Sequence, residues 1–336
     1  MQKLTKQQLA YNSIDLLTAQ IDQGWATMKA VELPANYQKF TNIVVCGMGG
    51  SQIGFAMIRQ ALSKELKISI YINNDYSLPG FVDRKSLIIL SSYSGTTEEV
   101  LSCAQEVTKK GYHGLIITSN GLLARRISKS LPGIKFATDF NPSQQPRLGL
   151  GYSVGIFLSL LNRIKAIKLS KKTFALINLS VADSKDNQTL AKKIAKKMIL
   201  VVSAEHLAGN AHILSNQINE SGKNQAYWAN LPELNHHFLE SLSFPKGLAQ
   251  QKMLVLFLES ASYSAKIQKR IKVTKQVLKQ QGIRTESLKV KTKSDLQDSL
   301  STLQSGSYLC YYISVVNGVD PLDITWVDYF KKELKK

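Results

Sequence analysis

Five hydroxyl side chains crowd together where an apolar segment of the sequence ends. The segment SLIIL, residues 86–90, is typical of a buried strand, and the hydroxyls follow it around the single glycine Gly95: Ser91, Ser92, Ser94, Thr96 and Thr97. Two glutamates then begin a predicted helix. Hydroxyls donate hydrogen bonds to phosphate oxygens without adding charge, and the N–H groups of a helix N-terminus favour an anion. The pattern predicts a cup for a phosphate monoester.

A second loop whose composition suits a phosphate ligand, CGMGGSQIG at 46–54, lies at the end of the predicted strand 42–47. Gly49 and Gly50 allow the backbone to approach a ligand closely, and Ser51 adds another hydroxyl. Ligands of parallel α/β sheets bind at the carboxyl ends of the strands. We therefore expect both loops to line one phosphate site.

Three other interpretations of these loops are weaker. A dinucleotide fingerprint would need glycine where Gln52 stands, and Asp75, the candidate ribose ligand, lies beyond the end of its strand. A P-loop is excluded because no Gly-Lys-Ser/Thr follows the glycines. A helix cap formed by Thr96 with Glu99 would explain one hydroxyl and leave the others unexplained.

Apolar segments and glycines predict strands that alternate with helices in both halves of the chain. The first half has predicted strands at 42–47, 68–72, 86–90, 113–118 and 134–138, and predicted helices at 5–30, 51–63, 97–110, 122–130 and 148–167. The second half has predicted strands at 198–203, 253–259 and 285–290, and predicted helices at 208–219, 265–281, 294–304 and 323–335. Such alternation is typical of a parallel sheet with helices on both faces.

The two halves also share the order strand, loop, helix, glycine, strand, at residues 87–118 and 254–290. Only the first copy has glycines and hydroxyls clustered in its loop. We therefore predict an α/β protein with two doubly wound, flavodoxin-like parallel-sheet domains related by duplication. The predicted domains are 1–167 and 191–336, and a more polar linker joins them at 168–190.

The composition of the 336 residues, 44% hydrophobic and 20% charged, is that of a globular protein. No run of about 18 apolar residues is present to cross a membrane, and the N-terminus has no apolar signal region. Cys46, Cys103 and Cys310 are far apart and odd in number. They predict reduced, buried thiols and a cytoplasmic location.

The net charge of +19 would suit an anionic partner. The lysines are scattered over short surface segments, including 165–172, 192–197 and 331–336, and no helix-turn-helix or zinc finger is recognisable. We therefore do not expect a nucleic-acid partner. A basic surface would also steer a small phosphorylated substrate towards the protein.

The two loops, GMGGS at 47–51 and SSYSGTTEE at 91–99, together resemble the sugar isomerase (SIS) domain. Three further segments, 145–155, 216–240 and 320–334, extend the resemblance. From about residue 40 to its end, the chain is similar to the bifunctional phosphoglucose/phosphomannose isomerase family, which has two SIS domains. The resemblance implies an enzyme that interconverts glucose 6-phosphate, and also mannose 6-phosphate, with fructose 6-phosphate.

The resemblance also implies roles for individual residues. The sugar phosphate would be held by the side chains of Ser51, Ser92, Ser94 and Thr97 and by the backbone of Gly49 and Gly50. The reaction would open the sugar ring and then move a proton between C1 and C2 through a cis-enediol(ate). A carboxylate, an imidazole and cations suffice for these steps, so no metal or cofactor is expected.

The catalytic groups implied by the same resemblance lie mostly in the second half. Glu220 would be the C2 base, with Glu233 as the alternative carboxylate. His236, beside His237, would open the ring of the substrate in the neighbouring subunit of a homodimer. Arg147 would stabilise the enediolate, and a C-terminal lysine would lie near the sugar. We choose Lys331 over Lys332 because it shares a helical face with apolar residues: Ile324, Val327 and Leu334.

Three rival functions remain. A non-catalytic sugar-phosphate regulator would usually carry a DNA-binding domain, which is not recognisable here. An isomerase for an aminosugar phosphate or a heptose phosphate would use the same fold. A zinc-dependent isomerase is disfavoured, because neither His206 with His212 nor His236 with His237 has helical ligand spacing.

Overall fold

The computed structural model describes residues 4–34, 37, 40–169 and 185–334. Two compact units emerge: Asp15–Leu179, and Met1–Ile14 together with Ser180–Lys336. We call them the first and the second unit. Most of the predicted linker, residues 170–184, lies outside the described residues, and residues 185–190 belong to a helix.

The start of the chain belongs to the second unit, although the predicted division placed it in the first domain. Helix α1, Lys6–Asp15, carries Tyr11, whose ring centroid lies 5.5 Å from that of Tyr308. The ammonium of Lys6 forms ion pairs with Asp320 at 3.1 Å and Asp323 at 2.7 Å. These contacts attach α1 to the C-terminal half of the chain.

The described residues of the first unit form a five-stranded parallel sheet in the order β2-β1-β3-β4-β5. Its strands are β1 Asn42–Cys46, β2 Ser69–Asn73, β3 Ser86–Ser92, β4 His113–Thr118 and β5 Gly133–Lys135. Every residue of β3 is buried, as expected for a central strand with helices on both faces. Because all strands run the same way, the loops after β1 and β3 meet at one edge.

Among the described residues of the first unit, five helices surround this sheet: α2 Leu17–Ala30, α3 Ile53–Ala61, α4 Glu98–Lys110, α5 Gly121–Ala124 and α6 Leu150–Arg163. Helix α6 is almost wholly buried. It lies close to α2 because glycines stand at the crossing: a β-carbon on Gly24 or Gly155 would overlap the backbone of the facing helix. Helix α4 ends at Gly111, whose φ of 63° forms the expected left-handed C-cap.

The described residues of the second unit form a four-stranded parallel sheet in the order β7-β6-β8-β9. Its strands are β6 Met198–Ala204, β7 Ala226–Leu231, β8 Met253–Ser260 and β9 Arg284–Val290. This order repeats that of the first four strands. The predicted fold class, two doubly wound parallel sheets related by duplication, is confirmed.

Helices of the second unit after α1 are α7 Lys185–Ile194, α8 Ala208–Glu220, α9 Phe238–Ser241, α10 Leu248–Lys252, α11 Ala265–Gln280, α12 Asp295–Asn317 and α13 Thr325–Glu333. An apolar core formed by the strands and the inner faces of α7, α8, α11 and α12 lies at its centre. No helix of the described residues is long and apolar enough to span a bilayer.

Several predicted boundaries were wrong. Strand β7 was not predicted, because it lies at the edge of its sheet and exposes Tyr227 and Trp228. Helix α12 continues to Asn317, well beyond its predicted end near residue 304. The predicted helix 5–30 divides at Leu16 into α1 and α2, and the helix predicted at 122–130 is only the short α5.

Candidate active site

The loop after β1 is a tight glycine turn at the carboxyl edge of the first sheet. It forms a 3-10 turn, Gly49–Ser51, in which Gly49 has a φ of +48°. Open space surrounds the position of a β-carbon on Gly49, whereas one on Gly50 would lie only 2.8 Å from the carbonyl carbon of Pro146. Gly49 therefore gives the turn its backbone conformation, and Gly50 allows another segment to approach.

Two hydrogen bonds join this turn to the loop after β3. The hydroxyl of Ser91 donates to the carbonyl oxygen of Ser51 at 2.6 Å. The backbone N–H of Tyr93 donates to the hydroxyl oxygen of Ser51 at 2.8 Å. Because that oxygen already accepts a hydrogen bond, the hydroxyl hydrogen of Ser51 remains available to donate to a ligand.

The loop after β3 arranges its own hydroxyls in two pairs. The buried Ser92 hydroxyl lies 2.8 Å from that of Thr97, and it also accepts the N–H of Gly95 at 3.0 Å. The hydroxyls of Ser94 and Thr96, both exposed, lie 3.0 Å apart. The predicted phosphate ligands Ser51, Ser92, Ser94 and Thr97 are thus brought together in two hydrogen-bonded loops.

The N-terminus of α4 opens onto this cluster. Thr97 is the N-cap residue, and no described side chain forms a cap hydrogen bond there. The alternative in which Thr96 and Glu99 form a capping box is therefore wrong, and the hydroxyl of Thr97 contacts Ser92 instead. A thirteen-residue helix whose first turn has no side-chain cap favours an anion at this end.

Gly95 is required by the shape of the second loop. Its φ is +68°, and a β-carbon there would overlap the carbonyl oxygen of Asn120. The carbonyl oxygen of Gly95 in turn accepts the N–H of Leu123 at 2.9 Å. The segment after β4 therefore packs against the hydroxyl loop and supports its conformation.

Arg147 lies next to the glycine turn. It belongs to a 3-10 turn, Pro146–Leu148, and is only 5% exposed. A β-carbon on Gly50 would lie 3.0 Å from the backbone nitrogen of Arg147, so the two turns touch. The guanidinium donates to the side-chain oxygen of Gln145 at 2.8 Å. A permanent cation thus lies beside the glycine turn in the first unit.

Three residues that support these loops were missed by the sequence analysis. Asn74 donates to the carbonyl oxygen of Gly47 at 2.7 Å and so holds the glycine turn against β2. Asn141 donates to the hydroxyl of Tyr93 at 2.9 Å. Tyr93 stands inside the motif SSYSG, which was a signal, but nothing in the sequence joins Asn141 to it.

The remaining predicted catalytic residues belong to the second unit. Glu220 is the half-buried last residue of α8, and the ammonium of Lys223 donates to its carbonyl oxygen at 2.5 Å. Two buried contacts hold α8 against α12: Asn210 donates to the carbonyl of Ser299 at 2.7 Å, and Ser307 donates to Gln217 at 3.1 Å. The helix that carries Glu220 is thereby fixed.

His236 ends a 3-10 turn, Glu233–His236, and is exposed, as are Glu233 and His237. The neighbouring Asn235 fastens this turn, because it donates to the hydroxyl of Thr274 at 2.8 Å and accepts from Arg270 at 3.3 Å. The imidazole of His236 therefore projects from an anchored turn.

Lys331 lies on α13, which buries none of its residues within the second unit. Of the apolar residues on its predicted face, Val327 is 40% and Leu334 is 56% exposed. Lys331 and Lys332 are both exposed. The expectation that Lys331 points inward is not met within its own unit, and its place near the sugar stays a prediction.

The histidines of the rival zinc hypothesis have other surroundings. His206 is buried against Asp298, with 3.3 Å between Nε2 and Oδ2, and His212 stacks on the indole of Trp228 at 4.9 Å. Burial lowers the pKa of His212. Within residues 4–34, 37, 40–169 and 185–334, no three His, Cys, Asp or Glu side chains form a group that could hold a metal ion.

Comparison with known proteins agrees with this geometry. Residues 183–334 match the family model described as bacterial phospho-glucose isomerase C-terminal SIS domain. The chain is 32% identical over 298 residues to a bifunctional phosphoglucose/phosphomannose isomerase of Aquifex aeolicus, covering 88% of this chain and 91% of the relative. The chain belongs to the bifunctional phosphoglucose/phosphomannose isomerase family.

Two further similarities support this family assignment and the fold. A relative of the same name from Caldicellulosiruptor bescii is 27% identical and covers 96% of this chain and 98% of the relative. The solved structure of tagatose-6-phosphate ketose/aldose isomerase from Escherichia coli superposes with a TM-score of 0.68, at 15% identity, over 94% of each chain. At that identity the superposition supports the fold alone.

Proposed function

We propose that this protein is an aldose–ketose isomerase that converts fructose 6-phosphate into glucose 6-phosphate and mannose 6-phosphate, and the reverse. These sugar phosphates belong to glycolysis and gluconeogenesis. The family supports the activity, since the relatives named above are phosphoglucose/phosphomannose isomerases. Buried thiols that form no disulfide support a cytoplasmic location, because that compartment keeps thiols reduced.

The observation that carries the proposal is the phosphate cup of the first unit. It combines the hydroxyls of Ser51, Ser92 and Ser94, the uncapped N-terminus of α4 and the glycine turn, in which Gly49 is exposed. The protein offers neutral donors and a helix dipole there, which bind a phosphate monoester yet let it leave. The phosphate would anchor the sugar while the chemistry takes place at C1 and C2.

Arg147 would act on the intermediate. Removing a proton from the open-chain sugar gives an enediolate, whose oxygens carry negative charge. A buried guanidinium that never loses its proton stabilises that charge without taking part in proton transfer. Its turn touches the glycine turn of the cup, and this contact supports the assignment.

Glu220 would carry the proton between C1 and C2, and His236 would open the ring by donating to the ring oxygen. Lys331 would approach the sugar hydroxyls. In a homodimer, His236 would complete the active site of the neighbouring subunit, and its exposed position on an anchored turn is compatible with that role. General acid–base groups of this kind each contribute about 10²- to 10⁴-fold in rate.

The decisive experiment is a coupled assay of fructose 6-phosphate conversion, after exhaustive EDTA treatment, in which glucose 6-phosphate and mannose 6-phosphate are detected separately. Formation of both products would establish the bifunctional isomerase. Formation of glucose 6-phosphate alone would keep the mechanism and narrow the specificity. Saturable sugar-phosphate binding without turnover would favour a regulator, and turnover of only an aminosugar phosphate or heptose phosphate would favour another isomerase.

The exchange of His236 between subunits has its own test. The inactive variants His236→Ala and Glu220→Gln are unfolded together and refolded as a mixture. If His236 serves the neighbouring site, about a quarter of wild-type activity returns, since half of the dimers are mixed and contain one intact site. If each subunit supplies its own histidine, the mixture stays inactive.

A further inference from the structure

A series of hydrogen bonds, linked through the residues Tyr93, Asn141 and Gln145, joins the phosphate cup to Arg147. It begins at Ser51, whose hydroxyl accepts the N–H of Tyr93 at 2.8 Å. From the hydroxyl of Tyr93 it passes to Asn141 at 2.9 Å, and from Asn141 to the carbonyl of Gln145 at 3.0 Å. The side chain of Gln145 then accepts from the guanidinium of Arg147 at 2.8 Å.

Tyr93 is held at both ends in this chain. Its carbonyl oxygen accepts the hydroxyl of Ser119 at 2.6 Å, which fixes the backbone that contacts Ser51. Its ring meets that of Phe136 edge-on, with 5.6 Å between the ring centroids. Burial raises the pKa of the Tyr93 hydroxyl, so this group stays protonated at neutral pH. The side chain therefore spans from the cup to Asn141 in one defined orientation.

Asn141 is fully buried, and hydrogen bonds to both its amide nitrogen and its amide oxygen fix the orientation of its side chain. Its amide nitrogen donates both to Tyr93 and to the carbonyl of Gln145, and its amide oxygen accepts the hydroxyl of Ser143 at 2.7 Å. Gly149 leaves room for this arrangement, because a β-carbon there would lie 2.9 Å from both the Asn141 amide nitrogen and the Tyr93 ring. The path through Tyr93 and Asn141 is thus packed and hydrogen-bonded, and it reaches the arginine turn on the side away from its direct contact with Gly50.

We propose that Tyr93 and Asn141 are positioning residues that set the place of the Arg147 guanidinium relative to the phosphate cup. The inference rests on the proposed role of Arg147 at the enediolate. The turn of Arg147 is held from two sides, by Gly50 on one side and by Asn141 on the other. Neither Tyr93 nor Asn141 need touch the substrate, because each acts through the segment that it holds.

The consequence is a specific kinetic signature. Loss of the Tyr93 hydroxyl leaves the backbone bond to Ser51 intact, so phosphate affinity should persist. The guanidinium would lose its fixed distance from the phosphate, and a misplacement of about 1 Å can cost a hundredfold in rate. We expect kcat to fall about tenfold in Tyr93→Phe, while KM changes by less than about twofold.

The test compares Tyr93→Phe with Tyr152→Phe. Tyr152 is a fully buried tyrosine of the first unit, and its hydroxyl accepts the N–H of Phe140 at 2.9 Å instead of a group on the path from Tyr93 to Gln145. Both variants lose one phenol hydroxyl that makes a partly buried hydrogen bond, so their unfolding midpoints should fall by similar amounts. Only Tyr93→Phe should lower kcat for fructose 6-phosphate, and both should keep wild-type protection against unfolding by inorganic phosphate.

A double-mutant cycle with Arg147→Lys separates positioning from general damage. If Tyr93 acts through the guanidinium, its removal should have little further effect on kcat once the arginine is gone. Equal kcat losses in Tyr93→Phe and Tyr152→Phe, or full additivity with Arg147→Lys, would overturn the inference. Failure of the proposed function is a different result: wild-type protein without isomerase activity, or Arg147→Lys with unchanged kcat.

Discussion

At the carboxyl edge of the first sheet, the loops after β1 and β3 leave glycine backbone and hydroxyls open to a ligand. At the corresponding edge of the second sheet, the loops after β6 and β8 are filled by side chains of the protein itself. Both sheets share one strand order, and both place a helix N-terminus at this point. The two edges therefore differ in their side chains and not in their topology.

The helix N-terminus shows the difference most directly. Helix α4 has no side-chain cap, whereas the hydroxyl of Ser264 caps α11 by accepting the N–H of Ile267 at 3.4 Å. The carboxylate of Glu205, from the loop after β6, accepts the N–H of Ser264 at 3.2 Å. In the second unit an internal carboxylate thus takes the position that suits a phosphate in the first.

A buried network closes the rest of the second edge. Asp298 is fully buried and accepts hydrogen bonds from Ser260, at the end of β8, and from Thr292 at 2.7 Å. His206, from the loop after β6, lies 3.3 Å from the same carboxylate, and Asp295 lies 3.6 Å from its other ring nitrogen. These contacts join the ends of two strands to helix α12.

The comparison teaches that one fold can use the same edge for binding or for stability. Parallel strands always leave polar backbone and a helix dipole at their carboxyl ends, so these groups need an anionic or polar partner. On the proposed function, the first unit would take that partner from solution, whereas the second supplies it from Glu205 and Asp298. After duplication, one copy could therefore become structural while the other kept the ligand.

The largest predicted effect tests whether phosphate binding resides in the first unit alone. Glu220→Gln should lower kcat by about 10³-fold, because the variant cannot accept the proton, while KM for fructose 6-phosphate changes by less than about twofold. Steady-state kinetics and sugar-phosphate titration measure the two quantities. The exposed Glu233→Gln is the control and should keep wild-type kcat. An equal loss of binding and turnover in Glu220→Gln would remove its role as the base.

The second prediction concerns the carboxyl edge of the second sheet, where Asp298 is buried. Asp298→Asn should lower the free energy of unfolding by about 3 kcal/mol, because it breaks a buried charged network. Hydrogen bonds and the neighbouring His206 hold the pKa of Asp298 at about 2 in the folded protein. The carboxylate therefore stabilises the fold above about pH 4, by roughly 2 kcal/mol, and this contribution disappears as the pH falls towards about 2.

Urea unfolding at neutral and acidic pH measures both parts of this prediction. The wild type should lose stability between about pH 4 and pH 2, and the variant should lose less, since its amide does not titrate. At neutral pH, KM for the sugar phosphate should stay unchanged. If Asp298→Asn weakened substrate binding at neutral pH, the second edge would not be purely structural.

The fold was predictable from the sequence wherever local signals determine it. Strands such as β3 and β6 are apolar segments ended by polar residues or glycine, and their positions were predicted within a few residues. Helix α12 continues past its predicted end near residue 304 through three small residues: Ser305, Gly306 and Ser307. In the structure Gly306 lies beneath Leu214, so these small residues allow α8 to pack closely, which only tertiary structure reveals.

The candidate site was likewise predictable where its residues lie close together in the sequence. Its hydroxyls stand together in the sequence, and the structure brings them together with Gly50 and Arg147. The support provided by Asn141 depends on a contact between residues 48 positions apart, which spacing cannot predict. The closure of the second edge by Glu205 and Asp298 was also missed, because the sequence does not show whether a carboxylate faces solvent or accepts hydrogen bonds from distant segments.

The third prediction uses matched serines on the two edges. Ser94 and Ser262 are both exposed and stand two residues beyond the ends of β3 and β8. Ser94→Ala should raise KM about tenfold with kcat nearly unchanged, because a hydrogen bond to a charged group contributes about 1.5–3 kcal/mol in ground and transition states alike. Ser262→Ala should leave both constants unchanged. A loss confined to kcat in Ser94→Ala would contradict a phosphate-binding role.

The smallest predicted effect tests whether loss of its serine cap lets the N-terminus of α11 bind phosphate. Ser264→Ala should lower the free energy of unfolding by about 1 kcal/mol, the usual cost of losing an N-cap side chain. It should not create a second phosphate site, because the carboxylate of Glu205 would still accept the N–H of residue 264 at the start of α11 and repel an anion. Inorganic phosphate should therefore raise the unfolding midpoint of Ser264→Ala and of wild type by the same amount. Only the double variant, Ser264→Ala with Glu205→Gln, would leave the N-terminus of α11 as open as that of α4. A larger phosphate effect in Ser264→Ala than in wild type would contradict this prediction, because it would mean that the serine cap alone keeps phosphate out.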